Sequence, residues 1–549
     1  MHTGEAIVKS LEVHGVSHAF LVPGESFLAV LDGMHDSPIT SVVCRHEGGA
    51  SYAAEAHGKA TGKAGVCMAT RGPGAANAKI GVYTAWQDET PMVLFVGLVP
   101  VADRYRESFQ EFDINEWFDG ITKGVLVVDD PSRASRVVAK AFHLANSGRR
   151  GPVVVVLPED ILTREFEGDI APPLCPATGA VSELDLNVVS EALRSAERPL
   201  IFEGGQGWDQ DTCDRIQAFA EEHKIPVLND MRSSDKIHFD SPANAGWLGA
   251  ARADDTAALL ETADLVLAIG AKLWDKPTDN FSLRQEESAQ NILINSDPDL
   301  KANSGSVAHH VLADPSTFAA ELHRLDLDDK PDTSEWFTHA REVHEDFSTI
   351  PPEGFDDLPA GSVDMNHVMA AVVERLRDDA ICTYGAGNHC FWPQRFFPTR
   401  EYPSMLATRL GSMGYSVAAG IAAKIAHPER QVVVFTGDGE LMMNGQEIVT
   451  AVRYGTPMLI VLVDNAQYGT IRAHQRKHYP DRVEGTQLSN PDFVAWAESM
   501  GAWAKRIDDP AAVSDSVQAA FDAAEDGRVA LLHVIVDQGF ATPDGSAEA

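Results

Sequence analysis

The sequence predicts three consecutive doubly wound α/β domains on parallel sheets, and three observations carry that expectation. Short apolar runs rich in Val, Ile and Leu recur at Val153–Leu157, Leu265–Ile269 and Val432–Phe435. Such runs suit strands buried on both faces of a parallel sheet. They alternate with helical patterns, as parallel crossovers require. Two proline-rich stretches without apolar periodicity, Ala171–Thr178 (APPLCPAT) and Ile350–Gly361 (IPPEGFDDLPAG), read as linkers. They divide the chain into 1–165, 185–335 and 362–540. With 549 residues and about 150 per domain, each piece is long enough to bury a core. No short-period repeat or low-complexity segment interrupts the pattern.

Composition narrows the function classes. A hydrophobic content of 44% with 23% charged residues is ordinary soluble-globular usage. No apolar run reaches transmembrane length, and His2–His14 is a charged amphipathic start without a signal-peptide core. The six cysteines, Cys44, Cys67, Cys175, Cys213, Cys382 and Cys390, show no CxxC spacing and read as reduced core thiols of a cytoplasmic protein. A net charge of −37 disfavours nucleic acid and anionic membranes as partners. The acidic residues are spread along the chain, as on salt-adapted surfaces.

In the first domain, Gly15–Gly24 (GVSHAFLVPG) reads as a helix end, a strand and a tight turn, and Ser26–Met34 as a helix. Ser41–Glu47 (SVVCRHE) is a second strand ending at Glu47, followed by the small-residue helix Gly48–Thr61. Val66–Asn77 (VCMATRGPGAAN) gives a strand and a glycine-rich loop, with Arg71 placed to attract a carboxylate or simply to be solvated. In the middle domain, Phe202–Gly207 (FEGGQG) follows the strand Pro199–Phe202; a lone glycine cluster is a weak dinucleotide signal. In the third, Val432–Phe435 and Met458–Val463 are strands, with a helical stretch Asn444–Tyr454 stopped by Gly455-Thr456-Pro457. Gly437-Asp438-Gly439 therefore falls at a strand end, the edge where open α/β sheets bind ligands. Its glycines let backbone approach a ligand closely. Asp438 offers one hard oxygen and Asn465, at the next strand end, a second. Mg²⁺ takes few protein ligands and completes its shell with water and phosphate, so the stretch reads as a Mg-diphosphate cradle or as a plain turn beside an unrelated Asn.

The GDG, about two dozen residues and then Asp464-Asn465 resemble the thiamine diphosphate (ThDP) fingerprint, with Asp in place of the first Asn of the usual pair. The string RHEGGA…AEAHGKATGKAGVCMATRGPGAAN resembles the pyrimidine-binding domain of acetohydroxyacid synthases. With three α/β units of similar size, the resemblance to the ThDP-dependent 2-oxo acid decarboxylase and acetohydroxyacid (acetolactate) synthase superfamily covers nearly the whole chain. It implies that Asp438, Asn465 and the backbone carbonyl of Gln467 hold Mg²⁺. It implies that Glu47 hydrogen-bonds N1′ of the aminopyrimidine, where a shared proton helps the 4′-nitrogen act as base. Pro73 and Asn77 join the cofactor contacts by the same likeness. Gly439 and Glu440 are expected to offer backbone N–H groups to the diphosphate, beside Gly437. Thr383–His389 (TYGAGNH) supplies Asn388 as diphosphate donor and His389 toward substrate, and Leu410–Tyr415 (LGSMGY) supplies Gly411 and the wedge Met413.

Substrate-side candidates follow from the same likeness. Phe109-Gln110-Glu111 matches the family's FQE, placing Gln110 with the catalytic group. Glu25 is either a second catalytic carboxylate or the N-terminal Glu of its helix. His474 stands where biosynthetic synthases carry Trp, as a proton donor, a carboxylate partner or an exposed loop residue. Ala271–Thr278 (AKLWDKPT) has Lys272 where FAD-keeping members usually carry Arg, so FAD is not expected. The resemblance implies a small-molecule 2-oxo acid substrate and a homodimer or dimer of dimers, each cofactor bridging two subunits. The leading expectation is 2-oxo acid decarboxylation with carboligation or aldehyde release. The alternatives are an FAD-containing pyruvate-oxidase-type enzyme and a non-catalytic protein on the same fold.

Overall fold

The computed structural model describes residues 1–284, 290–300, 307–352 and 358–546. Three parallel six-stranded sheets follow one another along the chain. The first holds β1 (His18–Leu21), β2 (Thr40–Val43), β3 (Gly65–Ala69), β4 (Met92–Leu98), β5 (Val125–Val127) and β6 (Pro152–Pro158) in the order β2-β1-β3-β4-β6-β5. The second holds β7 (Pro199–Glu203), β8 (Val227–Asn229), β9 (Asn244–Trp247), β10 (Leu265–Ile269), β11 (Gln290–Ile294) and β12 (His309–Val311) in the order β12-β11-β10-β7-β8-β9. The third holds β13 (Ile381–Tyr384), β14 (Met405–Ala407), β15 (Val432–Gly437), β16 (Met458–Asp464), β17 (Trp503–Ile507) and β18 (Val529–Ile535) in the order β14-β13-β15-β16-β18-β17. The central strands β4, β6, β10, β15 and β16 are buried along their whole length, which is why their sequences read as unbroken apolar runs rather than alternating ones. Helices on both faces complete the doubly wound pattern, and no described helix is long and apolar enough to cross a membrane.

Some elements depart from the sequence reading. Strand β2 stops at Val43, and Glu47 opens the Glu47–Thr61 helix rather than closing a strand. The turn between them is held by His46, whose Nδ1 accepts from the Gly48 N–H at 2.9 Å. Glu25 lies in a short 3-10 turn, Glu25–Phe27, ahead of the Leu28–His35 helix. Beyond β15 the helix begins at Asp438 with no intervening loop (Asp438–Asn444), turns through Gly445–Glu447 and resumes at Ile448–Tyr454. Five cysteines are buried free thiols, but Cys175 is exposed on the segment between the first two sheets. Residues 353–357 of the second expected linker lie outside the described residues.

The first and third domains are locked together by polar groups under the apolar packing of the Glu47–Thr61 and Ser416–Ala426 helices. Lys59 pairs with Asp88 and, at 3.1 Å, with Glu55, and donates to the Ala407 carbonyl at 2.8 Å. Glu55 also accepts from Tyr415 and Thr90 at 2.7 and 2.6 Å. Burial pushes the Glu55 carboxyl up while Lys59 pulls it back. A buried group so fully paired fixes how the domains sit, because removing any one partner strands the others.

Candidate active site

The carboxyl edge of the third sheet gathers most of the sequence-derived candidates. Register pairs Gly437 with Val463, so Asp438 and Asn465 emerge side by side at the ends of β15 and β16. Asp438 is buried, and its Oδ2 accepts from the Asn490 amide at 2.7 Å while the same nitrogen donates to Asp464 Oδ1 at 2.8 Å. Asp464 Oδ2 meets His533 Nε2 at 2.8 Å. Burial, with the Asp464 charge alongside, pushes the Asp438 carboxyl up to about 6. Burial opposes ionisation of Asp464 too, but hydrogen bonds from His533, the Ala466 N–H and Asn490, with the His533 charge, together hold that group below the usual carboxylate range.

Around these ends opens a cavity of about 250 Å³. Asn388, His389, Gly411, Met413 and Gln467 line it together with Gly437, Asp438, Gly439, Glu440 and Asn465. Backbone access is protected sterically. A Cβ on Gly439 would lie 2.6 Å from the Tyr468 ring, and one on Gly437 would lie 2.8 Å from His389 Nδ1. A Cβ on Gly469 would meet the Asn388 and Asn465 amide nitrogens, each at 3.0 Å, so these two side chains flank one point. Gln467 Oε1 is buried without a partner while its Nε2 donates to the Gln538 carbonyl at 2.9 Å. A glycine-walled pocket with a buried carboxylate, amides and an orphaned acceptor fits a diphosphate and its cation.

Glu440 does more than its expected backbone role. Its side chain turns inward, Oε2 lying 2.9 Å from His389 Nε2 and Oε1 accepting from Ser416 N at 3.3 Å. Burial alone would lower His389, yet the neighbouring Cys390 thiol, 3.4 Å away, and the Glu440 carboxylate raise it to about 10. His389 and Glu440 therefore form a buried, paired couple at the floor of the pocket.

The first-domain candidates assemble elsewhere. Glu47 is 9% exposed; its Oε2 accepts from the Asn77 amide at 2.9 Å, and Gly74 approaches its Oε1 so closely that a Cβ there would sit 3.1 Å away. Pro73 occupies the first turn of the Gly72–Asp88 helix. Gln110, at φ +62°, places its carbonyl 3.2 Å from the Gly72 N–H that donates to it. Phe109 is 75% exposed, Glu25 is exposed, and Arg71 is paired with Glu159. His474 is exposed on the Gly469–His478 helix, its ring stacked against His478. All the described residues lining the third-domain cavity lie between Ala386 and Val536. Within one chain, Glu25, Glu47, Pro73, Asn77 and Gln110 therefore do not join its lining, and His474, though within that span, does not line it either.

Two further residues were not foreseen from sequence. Asn490 bridges the carboxylates at the two strand ends, from a position with no spacing signal. Glu447 accepts the backbone N–H groups of Arg45 and His46, each at 3.0 Å, and the Thr450 hydroxyl at 2.5 Å. It thus holds the turn that presents Glu47. A Cβ on Gly49 would lie 2.6 Å from Glu447, so Gly49 is the close-approach glycine that admits this carboxylate.

Comparison with known proteins matches the same division of the chain. The thiamine pyrophosphate enzyme N-terminal TPP binding domain matches residues 1–117, the central domain 186–322 and the C-terminal TPP binding domain 385–534. The chain is 31% identical to a probable acetolactate synthase large subunit of Methanocaldococcus jannaschii, over 99% of this chain and 93% of that one. It is 30% identical to the acetolactate synthase isozyme 2 large subunit of Escherichia coli, over 98% and 96%. The acetolactate synthase large subunit of Corynebacterium glutamicum is 31% identical over 95% and 84%. With a glycine-walled strand-end pocket in the third domain and a buried Glu in the first, this chain belongs to the acetolactate synthase superfamily of thiamine-diphosphate-dependent enzymes.

Proposed function

We propose that this enzyme decarboxylates a small 2-oxo acid and passes the remaining carbon unit to a second carbonyl or releases it as an aldehyde. The observation that carries the reading is the third-domain pocket, where Asn388, His389, Asp438, Asn465 and Gln467 converge at one sheet edge. Asp438, Asn465 and the Gln467 carbonyl would hold Mg²⁺, and the Gly437–Glu440 backbone with Asn388 would hold the diphosphate. Bound thiamine diphosphate supplies the carbon nucleophile and the electron sink for decarboxylation. The protein's own part is to position and to manage protons. Glu47 holds a proton shared with the pyrimidine ring, and Asn77 keeps that carboxylate oriented. Glu447 fixes the turn behind it. Met413 shapes the pocket wall, and the apolar lining excludes water from the reacting carbon.

Glu47 would come from a second copy of the chain, since the cavity is lined from one domain alone. Exposed apolar side chains support that arrangement: Met442 and Met443 beside the cavity are 52% and 45% exposed, and Ile80 and Tyr83 on the Gly72–Asp88 helix are 39% and 36%. A cytoplasmic homodimer or dimer of dimers, with 1–165, 185–335 and 362–540 as its domains, is part of this reading.

FAD is not part of this reading. Two cavities beside the strand ends of the central sheet hold about 20 and 10 Å³, against the several hundred Å³ that cofactor sites occupy. Lys272 is spent on an ion pair with Glu89.

The test is Glu47→Gln assayed with ThDP, Mg²⁺ and a panel of 2-oxo acids, products identified by mass. Cofactor binding should persist while turnover falls by about 10²-fold or more. Full turnover in that variant would overturn the proposal.

A further inference from the structure

A second cavity, of about 610 Å³, lies at the opposite end of the helix that begins with Glu47. Fifteen residues separate the two ends inclusively, roughly 20 Å at the α-helical rise. The helix end, the turn after Val13, the segment around Leu174 and the end of the Ser416–Ala426 helix enclose it. It is therefore a junction of the first domain, the third domain and the segment leading to the second, and ligand sites favour such interfaces.

Its chemistry inverts that of the rest of the molecule. The chain carries 81 acidic against 44 basic residues, yet no aspartate or glutamate lines this cavity among the described residues. Four imidazoles do, His14, His18, His57 and His427, with the Lys63 ammonium beside them. The remaining wall is largely apolar, including Phe142, Leu174 and Ile425.

Hydrogen bonds set part of the proton inventory. His14 Nδ1 meets the Ser10 carbonyl at 2.7 Å and His427 Nε2 the Ala60 carbonyl at 3.0 Å, so those nitrogens carry the N–H. His18 Nδ1 is engaged by Ser17 Oγ at 2.9 Å. His14 Nε2 and His57 Nδ1 are buried with no hydrogen-bond partner.

We propose that this cavity binds a small organic anion, a carboxylate carried on an apolar body. The apolar wall takes the body, and Lys63 and the histidine ring nitrogens meet the charge. Burial, reinforced by His18, His427 and Lys63, pushes the His57 imidazole down to about 4. Burial also lowers His18 and His427. The segment around Leu174 and the Ala134–Asn146 helix, which carries Phe142, add no charged group to the lining. An anion among these rings opposes that repulsion, so it raises their proton affinity. Binding therefore takes up protons and tightens as pH falls.

The test is calorimetry on the ThDP- and Mg-loaded protein with hexanoate as probe and hexan-1-ol as neutral control, at about pH 6 and about pH 8. One hexanoate site per chain is expected, at least about fivefold tighter at the lower pH. Heats should differ between buffers of unlike ionisation enthalpy, as proton uptake demands. A His18→Leu, His57→Leu double variant should lose about tenfold in affinity and keep its turnover, since neither residue touches the active site. No hexanoate heat, hexan-1-ol binding as tightly, pH-independent affinity, or an unaltered double variant would each overturn the proposal. The pH comparison on the unmodified protein needs no variant and stands if the double variant fails to fold.

Discussion

The carboxyl edges of the second and third sheets make opposite use of the same material. Both carry glycines directly beyond a buried strand, Gly204-Gly205 after β7 and Gly437-Asp438-Gly439 at the end of β15. In the third sheet the glycines line the cavity of about 250 Å³, with side chains close on their other side. In the second they are pressed against protein: a Cβ on Gly204 would lie 2.8 Å from Asp230 Cβ, and one on Gly205 only 2.2 Å from the Gly270 carbonyl oxygen. Trp208 donates to the Gly204 carbonyl at 2.8 Å, Trp274 reaches Asp230 at 2.9 Å, and Arg409 faces that aspartate at 3.6 Å. The second sheet has the strand order most associated with dinucleotides, numbered within itself 3-2-1-4-5-6, yet its crevice is filled. A strand order offers an edge, and the side chains decide whether a ligand enters.

The contrast is sharpened first by removing the metal-facing carboxylate. Asp438→Ala should lower turnover about 10²-fold or more and shift the Mg²⁺ dependence of activity to higher concentration. Titrating activity against Mg²⁺ and ThDP checks it, and an unchanged titration would make the third-sheet edge as inert as the second. Gly205→Ala should act on folding instead. At φ +65° and with a backbone oxygen in the way, it should destabilise by about 2–4 kcal/mol, read as a fall in denaturation midpoint, with cofactor affinity of the folded protein unaltered.

A pH-dependent effect comes next. Glu203, at the end of β7, is buried, and Oε2 lacks a partner. Burial pushes its carboxyl up to about 8, with Lys236 opposing. A folded-state value above the unfolded one means that the native chain binds more protons between about pH 4.5 and pH 8, so stability declines as pH rises through that window. Glu203→Gln should remove the decline, recovering up to about 3 kcal/mol at pH 8 relative to pH 5. Denaturant melts at the two pH values measure it; identical pH profiles for both proteins would show that Glu203 is ionised and paired.

Legibility in the sequence tracked what each element depends on. β10, β15 and β16 were readable because strands covered on both faces need apolar residues at every position. The Asp438–Asn444 helix was not, since Asp-Gly-Glu reads as a turn and the apolar periodicity starts near Ile448. That Asp438 and Asn465 share one sheet edge was readable because strand ends and glycines mark it, while Asn388 joined them only through the family likeness. Asn490, the inward Glu440 side chain and Glu447 were hidden because their partners are set by tertiary packing; Glu447 meets Arg45 across 402 positions of chain. No local spacing encodes such a pairing.

The first and third sheets trace one path twice: numbered within itself, each runs 2-1-3-4-6-5. Beyond the third strand of each, a glycine turn opens a helix, Gly72-Pro73-Gly74 in one and Gly437-Asp438-Gly439 in the other. The corresponding stations differ by a single change of chemical character, a ring that cannot coordinate against an oxygen that can. Superposing the two sheets strand for strand should bring the two turns into coincidence.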